Sequence, residues 1–351
     1  MILRERIAAE IAAQGGWISF ARYMELALHE PGLGYYAGNA RQFGAEGDFV
    51  TAPELGSLFG RTLARQLREL PAKRILELGA GSGALAETLL KEGDFDYAIL
   101  ETSSALRERQ RARLGDKVRF LDRLPQRFDG VILANEVADA IPVHLVAWRA
   151  AGIMERGVAS KGSSFTWKDK AATGGLQEEA NKIAVPAPYE SEIGLAARAW
   201  MRTLCEHLER GVIFVIDYGF PRHEYYHPQR AAGTLMCHYR HQSHADPFLH
   251  PGEEDISAHV DFSALAEAAR SAGAEVLGYA TQAQFLVNCG ITDVLAEANA
   301  ENALHYAPIA AQAQTLLSPA EMGELFKVLA VGRGVQAPLL GFSRGDKSHA
   351  L

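Results

Sequence analysis

Cysteine is scarce in this 351-residue chain: there are three, Cys205, Cys237 and Cys289, odd in number and far apart. That spacing excludes a disulfide framework and a C-x-x-C metal site, and it fits a reducing compartment. Long apolar runs are also missing. No uninterrupted stretch of about eighteen apolar residues occurs, so no membrane-spanning helix and no membrane partner are expected. Positive charge is the minority sign, with 35 Lys and Arg against 43 Asp and Glu, a formal charge of −8 and a pI near 5.9. This balance argues against a nucleic-acid partner, whose binding domains are usually basic, whereas an acidic cleft suits a cationic substrate. The opening Met-Ile-Leu-Arg-Glu-Arg-Ile-Ala-Ala-Glu-Ile mixes acids and bases at helical spacing. It reads as the first helix of a domain and not as a signal peptide, so the chain is expected in the cytoplasm. Internal repeats and long low-complexity segments are absent as well. What remains is an ordinary soluble composition, 48% hydrophobic and 22% charged, enough for one large domain with additions or for two domains.

The most informative stretch is 74–84, Arg-Ile-Leu-Glu-Leu-Gly-Ala-Gly-Ser-Gly-Ala, in which a short apolar run passes an acid and enters three closely spaced glycines. Leu85, Leu89 and Leu90 then recur at helical spacing. A strand that turns sharply into a helix needs glycine, both for its dihedral freedom and to leave room for a ligand against the backbone N–H groups. Gly79, Gly81 and Gly83 satisfy the turn of two cofactor classes, the dinucleotides and S-adenosylmethionine. Glu101 ends the next apolar run, twenty-two positions after Gly79, where either class wants an acid for ribose hydroxyls. Glu77 discriminates: an acid beside the turn would repel a pyrophosphate but favours the cationic amino and sulfonium groups of S-adenosylmethionine. A nicotinamide-dependent oxidoreductase stays the alternative on the glycines alone.

From residue 74 apolar runs alternate with helical patterns, at 74–78, 97–101, 117–121, 130–135, 211–217 and 274–280. The fold class is therefore α/β, a Rossmann-like, mostly parallel sheet with helices on both faces. Its ligand belongs at the carboxyl ends of the strands, where their order reverses. Those ends carry polar residues: Asp122, then Asn135, Glu136 and Asp139, then Asp217. Asn135 and Asp139 have the alternative of capping a helix. Residues 1–70 read as a helical N-terminal region that forms a lid or substrate cover, with Ser19 as a cap and turn-rich loops at 31–36 and 47–54. The remainder, 71–351, reads as one catalytic domain with insertions at about 143–190 and 220–260. Short strands are expected near 145–148, 153–155 and 164–167, a loop over 168–182 and a helix over 191–209. Further helices are expected near 282–299, 302–316 and 319–330, and the late run Leu339–Phe342 is placed as an antiparallel partner strand. The second insertion holds seven of the twelve histidines, yet no zinc spacing recurs among them, so no metal is expected.

Taken together, Glu-Leu-Gly-Ala-Gly-Ser-Gly (77–83), Ala-Asn-Glu-Val-Ala-Asp-Ala-Ile-Pro-Val (134–143), Ile-Asp-Tyr-Gly (216–219) and Ala-His-Val-Asp-Phe (258–262) resemble the MidA-type methyltransferases, as do Gly-Asp-Phe-Val-Thr-Ala-Pro-Glu (47–54) and Tyr-Tyr-His-Pro (225–228). That family includes protein arginine methyltransferases of respiratory complex I assembly. The resemblance covers nearly the whole chain. One departure is Ala138, where the family more often has a larger apolar residue. The resemblance implies a class I methyltransferase fold with an antiparallel last strand. It further implies S-adenosylmethionine as cofactor and a protein substrate with an accessible arginine.

A guanidinium is a poor nucleophile: stripping its proton beforehand at pH 7 would cost on the order of 8 kcal/mol. Carboxylates that orient the planar fork and receive the proton during transfer lower that barrier. Asn135, Glu136 and Asp139 are the expected catalytic residues, and Glu77, Gly79, Gly81, Gly83, Glu101 and Asp122 the cofactor-binding ones. Glu54, Asp217 and His259 are substrate-side candidates for which structural roles carry equal weight. A homodimer, and a non-catalytic assembly factor that keeps the fold, complete the expectations.

Overall fold

The structure, a computed structural model, describes residues 2–38, 51–299, 301–336 and 338–351; residues 47–50 of the anticipated lid loop lie outside them. Seven strands make the main sheet: β1 (Arg74–Leu78), β2 (Asp96–Leu100), β3 (Val118–Leu121), β4 (Phe128–Asn135), β5 (Leu208–Phe220), β6 (Glu275–Thr281) and β7 (Phe326–Arg333). Their spatial order is β3-β2-β1-β4-β5-β7-β6, with a two-residue strand, Val260–Asp261, added at the end of β5. Every pairing is parallel except those of β7, which runs antiparallel to both β5 and β6. The order reverses between β1 and β4, which places a crevice at their carboxyl ends.

Both faces of this sheet are covered, which explains why its strands are apolar almost without interruption. Ile75, Tyr97, Val131, Leu133, Phe214 and Val328 point to one face, under the helices Ser57–Glu69, Ala84–Glu92 and Gln282–Asn288. Their chain neighbours Leu76, Ala98, Ile132, Ala134, Val215 and Leu329 point to the other, under Leu195–His207 and Phe262–Ser271. The period of two along each strand thus divides the core into two layers.

The helical N-terminal region divides between two bodies. Leu3–Ala13 and Phe20–His29 pack through Ile7, Ile11, Phe20, Tyr23 and Leu26 onto an antiparallel sheet from the first insertion, whereas Ser57–Glu69 belongs to the main core. The cap at Ser19 is present, its Oγ accepting from the Arg22 N–H at 3.1 Å. The insertion sheet consists of His144–Arg149, Gly152–Lys161, Ser164–Ala171 and Tyr189–Ile193, and the N-terminal Ile18–Ser19 joins it as a fifth strand against Gly152–Lys161.

Several expectations need correction. The stretch 168–182 is not a loop: it completes the strand Ser164–Ala171 and forms the helix Gly174–Asn181, whose Leu176 and Ala180 are buried beside Trp148. The helix placed at 191–209 starts at Leu195, because residues 189–193 pair with the strand at 144–149. The helix placed at 319–330 is one turn, Met322–Leu325, followed by β7, whose burial on both faces removes the alternation that marks a strand. The antiparallel strand is therefore β7. Leu340–Phe342 forms a turn instead, with Phe342 against Phe285 and the Gly341 N–H donating to Gln66 at 2.8 Å. Among the described residues no helix is long and apolar enough to cross a membrane.

Leu329 lies at the centre of β7 with no exposed surface. Leu329→Ala should cost about 3 kcal/mol of unfolding free energy, read from urea melts.

Candidate active site

Gly79, Gly81 and Gly83 carry the chain from β1 into the helix Ala84–Glu92 with φ values of 60°, 54° and 82°, the left-handed region that side chains disfavour. A Cβ on Gly79 would also meet Val137 Cγ2 at 3.1 Å, so the turn packs closely against the segment that follows β4. Gln110 ties the turn to the neighbouring strand end. Its Nε2 donates to the Gly81 carbonyl at 2.9 Å and to Glu101 Oε2 at 3.0 Å. Glu101 Oε1 accepts from the Ser103 N–H at 2.9 Å. With the Thr102 backbone as a further donor, the Glu101 carboxylate still has acceptor capacity left for a ligand's hydroxyl.

A cavity of about 890 Å³ opens in front of this turn, with Gly79, Gly81 and Glu101 on one side and Glu136 and Asp139 on another. Its far wall comes from the N-terminal region and the second insertion, through Tyr36, Arg230, Thr234, Asp255 and His259. The glycine cradle, the available acid at the end of β2 and the room in front of them fit S-adenosylmethionine, with Gly79, Gly81 and Glu101 as its holders.

Glu136 is the most constrained acceptor-side group. Its φ of 54° is one of three positive values outside glycine among the described residues, which marks local strain of the kind found at functional sites. Its Oε1 accepts from the Ala52 N–H and from Asn135 Nδ2, both at 3.1 Å. Burial pushes its carboxyl up to about 8, with Asp139 and Glu54 adding to the rise and the two donors opposing it. Asp139 Oδ2 accepts from the Tyr218 hydroxyl at 2.5 Å, and burial raises its pKa too. Asn135, expected among the catalytic residues, is not on the cavity wall: its Oδ1 is buried with no donor among the described residues, and its Nδ2 holds Glu136.

Other anticipated residues stand off the cavity wall. Glu77 lies behind the turn, accepting from the Tyr97 hydroxyl at 2.8 Å, and burial pushes it up to about 7, so it is only partly ionised at neutral pH. The wall's acids are instead Glu101, Glu136, Asp139, Asp255 and Glu321. Asp122 points outward, 87% exposed, in an ion pair with Arg107 at 2.6 Å, and neither residue is on the cavity wall. Glu54 accepts from the Ser82 hydroxyl and so braces the glycine turn. Asp217 is fully buried behind the wall, its Oδ2 accepting from the N–H groups of Val137, Ala138 and Asp139 at 3.2, 2.9 and 3.3 Å. It is a brace for the acceptor segment. His259 does line the cavity, edge-on to Tyr218 and Phe220, and burial followed by the charges of Arg230 and Lys327 lowers it to about 4, so its ring is neutral at pH 7.

Sequence reasoning missed Gln110, Tyr218 and Glu192. Tyr218 stands inside the Ile-Asp-Tyr-Gly block, a signal within reach; Gln110 is one polar residue on an amphipathic helix and carries none. Glu192 had been placed in a helix. In the sheet it is buried, and it accepts from the N–H groups of Thr234 and Leu235 at 2.8 and 2.9 Å, which anchors the far wall. Among the described residues no group of three or more His, Cys, Asp or Glu is arranged to hold a metal, and Asp261 caps the helix Phe262–Ser271.

The strand order with its antiparallel β7, the glycine turn and the acid at the end of β2 define a class I methyltransferase. Residues 58–280 match the model of a family of S-adenosyl-L-methionine-dependent methyltransferases. The chain belongs to that family, the MidA-type methyltransferases, and its cofactor is S-adenosylmethionine. A Burkholderia thailandensis protein, solved with S-adenosyl-homocysteine bound, is 50% identical with a TM-score of 0.96, over 99% of this chain and 96% of its own. A Drosophila melanogaster relative named as a mitochondrial protein arginine methyltransferase, NDUFAF7 homolog, is 29% identical over 97% of this chain and 88% of its own length. The Danio rerio protein arginine methyltransferase NDUFAF7 is 27% identical over 93% and 86%. The dinucleotide alternative falls with these findings.

Gly81→Val forces a branched side chain onto a left-handed backbone and should abolish S-adenosylhomocysteine binding by calorimetry. Glu136→Gln is expected to lower kcat at least tenfold with cofactor affinity nearly unchanged; equal loss of both would move Glu136 into the cofactor shell. Because the folded state holds the Glu136 proton up to about pH 8 while the unfolded chain releases it near 4.5, stability of the ligand-free protein should fall as pH rises across that window. Glu136→Gln should flatten the slope in melts at pH 5 to 9.

Proposed function

We propose that this methyltransferase acts on an arginine side chain of a protein substrate. The observation that carries the reading is the pair of wall carboxyl groups, half-buried Glu136 and buried Asp139, set beside the glycine turn at the end of β4. S-adenosylmethionine, when bound, supplies an electrophilic methyl group on a sulfonium sulfur. The docking guanidinium, a cation, drives the Glu136 proton off to solvent; Glu136 and Asp139, then ionised, orient the planar fork so that one nitrogen faces that methyl, and either carboxylate takes up the proton that the nitrogen loses. Tyr218 holds Asp139 in place by its hydroxyl hydrogen bond, and Asp217 fixes the backbone between the two acids. The mostly apolar wall around them lowers the local polarity, which strengthens each of these interactions. The relatives named as protein arginine methyltransferases support the same reading.

The test is transfer of labelled methyl from S-adenosylmethionine to a lysate of the source cells, followed by hydrolysis and amino-acid analysis. Methylarginine that forms with the natural chain and not with Gly81→Val is the expected result. Label on another residue type would replace arginine as the acceptor, and no transfer with cofactor still bound would favour an assembly factor.

A further inference from the structure

Five acids line the cavity, and among the described residues Arg230 is its one arginine or lysine. Arg230 has no carboxylate partner among those residues. Its guanidinium carbon sits 3.8 Å from the centre of the Phe220 ring, and its Nη1 donates to the Glu224 carbonyl. That stacking leaves the rest of the fork to face a ligand with little entropy left to lose. The loop that carries it is equally fixed. The Arg230 N–H donates to the His227 carbonyl at 2.8 Å, and the Gly233 N–H returns to the Arg230 carbonyl at 3.0 Å. Glu192 then clamps Thr234 and Leu235, so closely that a Cβ on Gly233 would stand 2.4 Å from its Oε1.

Resting on the arginine-acceptor reading, we infer that Arg230 recognises a carboxylate carried by the acceptor beside its target guanidinium. Such an anion would enter a wall that carries five acids and one cation, and Arg230 is that cation, offering a planar fork matched to carboxylate geometry. A neutral neighbour in the acceptor would instead leave a desolvated guanidinium with no counter-charge. The cofactor's own carboxylate is the competing partner. Arg230, however, lies on the loop after β5, while the cofactor cradle is built at the ends of β1 and β2.

The experiment loads the protein with S-adenosylhomocysteine and measures binding of two ligand pairs by calorimetry: arginine against agmatine, and blocked Gly-Arg-Asp against blocked Gly-Arg-Asn. The carboxylate-bearing member of at least one pair should bind about tenfold more tightly, a preference erased by Arg230→Gln and partly restored by Arg230→Lys. A preference confined to the first pair makes an α-carboxylate the source; one confined to the second makes it an acidic side chain. Equal affinities within both pairs, or an unchanged preference in Arg230→Gln, overturn the inference. A loss of S-adenosylhomocysteine affinity in that variant assigns Arg230 to the cofactor and overturns it too. Methyl transfer to the peptides is followed in parallel. Transfer without a carboxylate preference leaves the arginine reading standing and this inference fallen, and a preference in binding without transfer does the reverse. No binding of any ligand overturns both.

Discussion

A single carboxylate, Asp217, holds the acceptor side of this enzyme together. It ends the buried stretch of β5, and three consecutive N–H groups of the neighbouring chain, from Val137 to Asp139, converge on its Oδ2 while the Tyr218 N–H reaches its Oδ1 at 2.9 Å. The backbone just beyond β4 cannot continue as strand or helix while it serves that oxygen. It is held in a tight turn, with Glu136 at positive φ on one side and Asp139 on the other. Burial and the acids Asp139 and Glu136 push the Asp217 pKa upward, and the N–H donors pull the other way. The arrangement thus concentrates acids that would repel one another in water, and only a dense set of donors makes it tolerable.

Much of the site follows from that constraint. Val137, fixed within the braced turn, packs against Gly79, so acceptor turn and glycine turn are in register with each other. Tyr218, next to Asp217 in the chain, bonds Asp139, and its ring carries His259 edge-on. The cavity lies between a cofactor side made by β1 and β2 and an acceptor side made by β4 and β5, with the two meeting where the strand order reverses. An excess of buried acid there prepares the cavity for cationic ligands: sulfonium on one side and, in the reading proposed here, guanidinium on the other.

The far wall obeys a different logic. It is built by the N-terminal region and the loop after β5 and is braced from behind by the first insertion sheet, three distant parts of the chain. Glu192 joins two of these by accepting from Thr234 and Leu235, and Tyr36 joins the third by donating to Asp255 at 2.7 Å. Both carboxylates are buried, so losing their hydrogen-bond partners would leave a polar group without water to replace them. The insertions therefore complete the cavity and are not ornaments on the sheet.

How much of this was legible in the residues varies by element. The glycine turn was, because three glycines at that spacing after an apolar run have few other uses, and so was the doubly covered sheet, because its strands are apolar on both sides. Glu136 and Asp139 could be named as strand-end acids, and the wall includes both. Glu77 could not be judged from sequence: its neighbour in the chain is the turn, but its side chain faces Tyr97 on the adjacent strand, and burial weakens the charge on which its role rests. Asp122 failed for the opposite reason, because nothing local showed that it would turn outward to Arg107. β7 was mistaken for helix since complete burial erases period. Local pattern thus determined the parallel sheet, the cofactor turn and the chemical type of the site. Which carboxylates face the cavity, which serve as braces, and where Arg230 and Glu192 meet the others were decided by tertiary structure alone, because each depends on pairing between segments tens to hundreds of residues apart.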